Sequence, residues 1–221
     1  MNDPARADSP LNQAPAAPLL AAPLMAAHLR GGGAALLPTD TLPALAIAPA
    51  QASRIWELKR RPPDKPLILM AADLEQLQQW LASAWPDPWQ LAARRHWPGA
   101  LTLVLPIRGP LTDQLHPGGT TLGVRVPACP PMQELLRLTG PLATTSVNLS
   151  GKPAATSAQE ASRQFPDLPL LAPLPWPQPS GQASAVWLWQ GEDASGPPWR
   201  VLRAGAITPE DSGLDPAVAE R

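Results

Sequence analysis

The chain predicts a single α/β domain, on three observations. Short apolar runs alternate along the sequence with segments of helical period. Almost every run closes on glycine, proline or hydroxyl residues, which break one element before the next begins. No internal repeat interrupts the pattern, and 221 residues with 44% hydrophobic content suffice for one large core.

Taken in order, residues 1–17 read as a disordered leader, rich in Ala and Pro. Pro18 to Arg30 predicts a helix with Leu20, Leu24 and Ala27 or His28 on one face, broken by Gly31-Gly32-Gly33. Ala34 to Leu37 is a compact apolar run ending at Pro38, hence a buried strand. Thr39-Asp40-Thr41 stands at its carboxyl end, where ligands collect in open α/β sheets. Pro49 to Lys59 predicts a helix buried through Ile55, Trp56 and Leu58, and Leu67 to Met70 a short strand. Ala72 to Ala84 repeats Leu74, Leu77 and Leu81 at helical spacing, and Trp89 to His96 reads as a further helix. The turn Trp97-Pro98-Gly99-Ala100 feeds a strand over Leu101–Leu105, and Thr120 to Val126 is another strand. Pro131 to Thr139 is a helix stopped by Gly140-Pro141. Leu142 to Thr145 is a strand that ends in the polar turn 146–151. Ser157 to Phe165 predicts a helix with Ser157 as N-cap and Glu160 three residues on. Ala183 to Gln190 and Trp199 to Arg203 form a last strand pair.

Composition excludes several functions. A net charge of −1 and a pI near 6.3 argue against a protein that coats nucleic acid, though not against a local RNA contact. The single cysteine, Cys129, rules out a disulfide framework and a cysteine zinc cluster, and reads as a small buried thiol. His28, His96 and His116 lack metal-ligand spacing, so no metal site is expected. No apolar run reaches the ~18 residues of a membrane span, and the N-terminus lacks a signal-peptide core. A cytoplasmic protein without a membrane partner is expected. The nine tryptophans follow no regular spacing and are expected in packing rather than in a base-stacking platform.

Three polar segments carry the chemistry. Lys59-Arg60-Arg61-Pro62-Pro63-Asp64-Lys65-Pro66 contains four cations, among them two of the chain's three lysines. Its prolines stiffen the loop and present the charges. A rigid cationic loop in a near-neutral chain suits a local anion such as phosphate, and Arg61 and Lys65 can neutralise phosphate oxygens. Ser146 and Asn148 add a hydroxyl and an amide in a turn whose N–H groups can face an anion. Thr39 and Thr41 offer hydroxyls to a small polar ligand, and Arg125, alone at a strand end, suits a carboxylate. There is no G-x-x-x-x-G-K-[ST] loop, no G-x-G-x-x-G and no nucleophile–base pair. Catalysis would therefore work by placing reactants and stabilising charge.

Six ordered segments resemble the Sua5/YrdC (TsaC) family of threonylcarbamoyl-AMP synthases. They are Leu37-Pro38-Thr39-Asp40-Thr41; Leu58-Lys59-Arg60-Arg61-Pro62 with Lys65-Pro66-Leu67; Trp97-Pro98-Gly99-Ala100-Leu101-Thr102; Gly123-Val124-Arg125-Val126-Pro127; Ser146-Val147-Asn148-Leu149-Ser150-Gly151; and Leu202-Arg203-Ala204-Gly205-Ala206-Ile207. The resemblance covers about residues 18–210, leaving 211–221 as a tail. It implies a twisted open mixed sheet flanked by helices, with a concave basic cavity. The implied reaction makes L-threonylcarbamoyladenylate and pyrophosphate from L-threonine, bicarbonate and ATP, with Mg²⁺ accompanying ATP. The product would serve N6-threonylcarbamoyladenosine formation at position 37 of tRNA, through tRNA threonylcarbamoyl-transfer proteins.

By the same resemblance, Lys59, Arg61, Ser146 and Asn148 are the catalytic K-x-R and S-x-N pairs. Arg61, Lys65, Thr121, Ser146 and Arg203 would contact ATP, and Thr41, Arg125, Thr144 and Ser184 would hold L-threonine. The chain departs from the family's Val-Tyr-Gly-Leu after Thr41, reading Leu42-Pro43-Ala44-Leu45 and containing no tyrosine. Ser184-Ala185 stands for a Ser-Thr pair, and Ala154 for a hydroxyl residue. The alternative is a YrdC-like paralogue that binds nucleotide or double-stranded RNA without this reaction.

Overall fold

The computed structural model describes residues 17–81, 84–192, 197–205 and 207. Apart from Ala17, the leader expected over 1–17 lies outside these residues, as does the whole tail over 211–221. Among the described residues one sheet carries ten strands, in the order β1-β8-β2-β3-β7-β4-β6-β5-β9-β10. These are β1 (Leu19–Leu20), β2 (Ala35–Leu37), β3 (Ala44–Ile47), β4 (Ile68–Met70), β5 (Leu101–Leu105), β6 (Leu122–Arg125), β7 (Leu142–Ser146), β8 (Leu170–Leu171), β9 (Ala185–Trp189) and β10 (Trp199–Arg203). The helices are α1 (Ala22–Arg30), α2 (Ser53–Lys59), α3 (Leu74–Leu81), α4 (Asp87–His96), α5 (Pro110–Leu115), α6 (Pro130–Thr139) and α7 (Ala158–Gln164). The sheet is mixed: β4 runs parallel to β6 and β5 to β9, whereas β3, β4 and β6 each have an antiparallel neighbour.

Strand register divides the sheet into two faces. Ile47, Ala143, Leu69, Val124, Leu103 and Trp187 are successive cross-strand partners from β3 to β9, and all are buried in the larger core. Helices α2 and α4 close this face through Ile55, Trp56, Trp89, Ala92 and Ala93. Each large apolar side chain buried there contributes about 1.5–3 kcal/mol. The opposite row runs Ala46, Thr144, Ile68, Gly123, Val104 and Leu188. Helices α1 and α6 cover only one part of that face, through Met25, Leu29, Met132 and Leu135 packed on Leu37, Ala46, Met70 and Leu142. Toward β5 and β9 the cover ends, and Val104, Val186 and Leu188 are only half-buried.

Several boundaries differ from the sequence expectation for identifiable reasons. The helix expected from Pro18 starts at Ala22, because Leu19 and Leu20 pair as a strand with Leu170 and Leu171. The helix expected from Pro49 is a 3-10 turn over Pro49–Gln51 followed by α2. Strands β3 and β8 and helix α5 were not expected. Prolines flank β3 and β8 closely, and their short apolar runs look like loop sequence. The expected cap on α7 is present: Ser157 Oγ accepts from Glu160 N at 3.2 Å, and Glu160 Oε2 accepts from Thr156 N at 2.8 Å. Cys129 is a buried free thiol. Trp85, Trp89, Trp187 and Trp199 are buried, with edge contacts such as Trp85–Trp89 at 5.9 Å, so these rings pack. No described helix is long and apolar enough to cross a membrane.

Candidate active site

Helix α2 delivers the first cations. It ends at Arg60, whose left-handed backbone (φ 50°, ψ 47°) is unusual for a residue with a Cβ. That reversal lets Arg61 N donate to Trp56 O at 3.0 Å and turns the chain toward the end of β7. Arg61 then braces its own loop, donating from Nη2 to the carbonyls of Lys65 (2.7 Å) and Pro66 (3.1 Å), while Trp56 Nε1 donates to Lys65 O. Arg61 Nη1 reaches Thr145 Oγ1 at 3.4 Å.

Lys59 is 1% exposed, and its Nζ donates to Ser146 O at 2.5 Å and Asn148 Oδ1 at 2.8 Å. Ser146 Oγ donates to the same Asn148 oxygen at 2.7 Å, and Asn148 Nδ2 is held by the carbonyls of Leu149 and Lys152. The cationic loop and the hydroxyl turn thus meet directly. Both hydrogen-bond partners of Lys59 are neutral. Burial, and secondarily the positive charge of Arg61, lower its pKa from 10.5 to about 7. Burial also lowers the pKa of Arg61, partly opposed by Asp64, and its buried Nε has no partner among the described residues. An anion placed here would compensate two underpaired cations.

A second guanidinium sits at the end of β6. Arg125 is buried, with Nε donating to Gly99 O (3.0 Å), Nη1 to Thr41 Oγ1 (2.8 Å) and Nη2 to Asp40 Oδ1 (2.7 Å). Burial lowers its pKa, Asp40 opposes that shift and Arg203 adds to it. Gly99 approaches so closely that an added Cβ would stand 2.3 Å from His96 O. The Thr39–Pro43 loop is rigidly tied: Thr39 Oγ1 donates to Leu42 O, and Asp40 O and Thr41 O accept from Ser180 N and Gly181 N. Its last residue accepts from Val147 N at 3.2 Å, which joins the Arg125 pocket to the Lys59 cluster. Nearby, Ser184 Oγ lies 2.9 Å from Thr102 Oγ1, and Arg203 donates to Ser184 O (2.9 Å) and Oγ (3.1 Å).

Lys59, Arg61, Ser146 and Asn148 therefore form one cluster, Thr41 with Arg125 a second, and Ser184 with Arg203 a third. Thr144 is fully buried and its hydroxyl donates to Ile68 O at 3.0 Å. Thr121 is half-buried just before β6, and its carbonyl accepts from His116 Nδ1 at 2.9 Å. The Lys65 side chain is exposed. Sequence reasoning left Asp40, Gly99, Thr102 and Thr145 without roles. Asp40, Gly99 and Thr102 lay inside segments already singled out, whereas Thr145 carried no signal beyond a polar residue in an apolar strand. A separate groove of about 1420 Å³ lies behind the Thr39–Pro43 loop, against α7 and Leu174–Gly181. None of Lys59, Arg61, Arg125, Ser146, Asn148, Ser184 and Arg203 lines it.

A mixed α/β sheet with buried Lys59 at the end of α2 and buried Arg125 at the end of β6 suits a protein that binds anionic ligands. The model of the Sua5/YciO/YrdC family, described as telomere recombination, matches residues 27–205, and the chain belongs to that family. It is 39% identical over 146 residues to a threonylcarbamoyl-AMP synthase of Pyrococcus abyssi, covering 64% of this chain and 43% of that protein. To the threonylcarbamoyl-AMP synthase of Stenotrophomonas maltophilia it is 41% identical over 140 residues, covering 61% of this chain and 75% of the relative. The crystal structure of P. abyssi Sua5 complexed with L-threonine superposes with a TM-score of 0.77 at 29% identity, over 92% of this chain and 64% of that one. The chain thus spans less than half of the archaeal enzyme it matches.

Proposed function

We propose that this protein is an L-threonylcarbamoyladenylate synthase, a nucleotidyltransferase that joins L-threonine, bicarbonate and ATP. The observation that carries the reading is the contact of Lys59 Nζ with Ser146 and Asn148, which gathers both polar family motifs beneath one underpaired cationic site. The relatives' names and the L-threonine complex of P. abyssi Sua5 support the substrate. In this reading the threonine amine attacks bicarbonate or CO₂ to give a carbamate; from bicarbonate, water leaves. A carbamate oxygen then attacks the α-phosphorus of ATP, and pyrophosphate departs.

Lys59 and Arg61 stabilise the charge gathering on the phosphates, the largest kind of catalytic contribution available to a site without a nucleophile. Ser146 and Asn148 fix Lys59. Lys65, Thr121 and Arg203 complete the ATP contacts, Arg125 and Thr41 hold the amino acid, and Ser184 and Thr144 border it. Among the described residues no group of three His, Cys, Asp or Glu could hold a metal. Mg²⁺ would therefore be held by the ATP phosphates and enter with them. The adenylate would pass to the proteins that modify tRNA.

The test supplies purified protein with ATP, L-threonine and labelled bicarbonate, and scores label in the adenylate. Label that depends on all three substrates, and is lost in Lys59→Ala and Arg61→Ala, is the expected result. Salt-sensitive binding of double-stranded RNA with no labelled product would favour the RNA-binding alternative instead.

A further inference from the structure

We propose that Asp40 is the residue that receives the α-ammonium of the amino-acid substrate, so that Asp40 and Arg125 form one seat for a zwitterion. The proposal rests on the reading that this pocket takes an amino acid, and it gives a role to a carboxylate that the reading leaves unused. The geometry of the ion pair carries it. A carboxylate that serves only to balance a buried arginine commonly engages it through two parallel hydrogen bonds. Here the contact is one-armed: Arg125 Nη2 meets Asp40 Oδ1 at 2.7 Å. Asp40 Oδ2 accepts no hydrogen bond among the described residues. Arg125 spends three of its five N–H bonds, on Gly99 O, Thr41 Oγ1 and Asp40 Oδ1. Two donors of Arg125 and one anionic oxygen of Asp40 therefore remain unspent within a single ion pair.

An α-amino acid carries its carboxylate and ammonium on a single carbon, and the complement of that pair is an adjacent cation and anion. The side chain of Arg125 is 3% exposed and that of Asp40 is 15% exposed, so Asp40 is the solvent-facing member. Its position is fixed from both sides. The backbone carbonyls of Asp40 and Thr41 accept from Ser180 N and Gly181 N, and Thr41 N donates to Thr39 Oγ1 at 3.1 Å. The guanidinium of Arg203 is near enough to act on Arg125 electrostatically. Asp40 keeps these two cations from forming a pocket that would accept any small carboxylate. The carboxylate thus selects amino acids over their deaminated counterparts.

The test is calorimetric titration of the full chain, with a non-hydrolysable ATP analogue present. L-threonine is compared with 2,3-dihydroxybutanoate, which has a hydroxyl in place of the amine. The wild-type protein is expected to prefer L-threonine by roughly 10- to 100-fold, the range for a hydrogen bond to a charged group. In Asp40→Asn that preference is expected to collapse, with binding of the deaminated acid unchanged or tighter. Equal binding of the two ligands by the wild-type protein overturns the proposal without any variant. An equal loss of both ligands in Asp40→Asn also overturns it, because a merely structural carboxylate would behave that way. If the wild-type protein binds no L-threonine at all, the functional reading fails first and the proposal falls with it.

Discussion

Replacing Lys59 by methionine gives a sharp test of the buried cation. The Lys59 pKa falls from 10.5 to about 7 through burial and the neighbouring Arg61 charge. The native state therefore gives up this proton about 3.5 pH units earlier than the unfolded chain. Below pH 7 both states carry the charge and the native state bears the whole penalty, at most about 5 kcal/mol. Between pH 7 and 10.5 only the unfolded chain is protonated, so stability rises with pH by about 1.4 kcal/mol per unit. Lys59→Met loses the hydrogen bonds to Ser146 O and Asn148 Oδ1, a pH-independent cost, and removes the titration. Urea unfolding of both proteins at pH 6, 7, 8 and 9 reads the difference. The wild-type protein is expected to gain about 2–3 kcal/mol on the variant between pH 7 and 9. A difference constant within about 0.5 kcal/mol over that range would refute a depressed Lys59. ATP binding near pH 8 should also take up a proton, because an anion restores the charged amine. Calorimetry in two buffers of different ionisation enthalpy detects that uptake.

Arg61→Ala should leave the fold intact, since the residue is half-exposed, while weakening ATP binding by roughly 10- to 100-fold in equilibrium titration. Gly99→Ala places a methyl 2.3 Å from His96 O and should cost about 1–3 kcal/mol in thermal unfolding. Because Gly99 O also holds Arg125 Nε, that variant should lose L-threonine affinity while keeping ATP affinity. Ser157→Ala removes the cap of α7 and should cost about 1 kcal/mol by urea unfolding, with no effect on ligand binding.

Much of the central fold was legible because local signals agreed there. The strand Leu101–Leu105 has the bounds expected of it, and Ser157 with Glu160 marked the start of α7. Where prolines crowd short apolar runs, tertiary pairing decided the outcome. Leu19–Leu20 become a strand by pairing with Leu170–Leu171, which themselves pair with Leu36 of β2, events no local window contains. The site shows the same division. Lys59, Arg61, Ser146 and Asn148 stood out as polar groups in punctuated loops, and their contact spans more than eighty residues of sequence. Asp40 could be placed beside Thr41 from sequence, but its pairing with Arg125 depends on a loop bent over a twisted sheet. Thr102 drew no role although its segment was singled out, and Thr145 drew no notice, because single threonines in strands more often satisfy the backbone than meet a ligand.

The most direct measurement is a crystal structure with a non-hydrolysable ATP analogue and L-threonine bound together. Phosphate oxygens on Lys59 and Arg61, with the amino acid on Arg125 across the Thr39–Pro43 loop, are the expected result. A nucleotide seated instead in the groove against α7, with Lys59 still bonded only to Ser146 and Asn148, would contradict the shared basin.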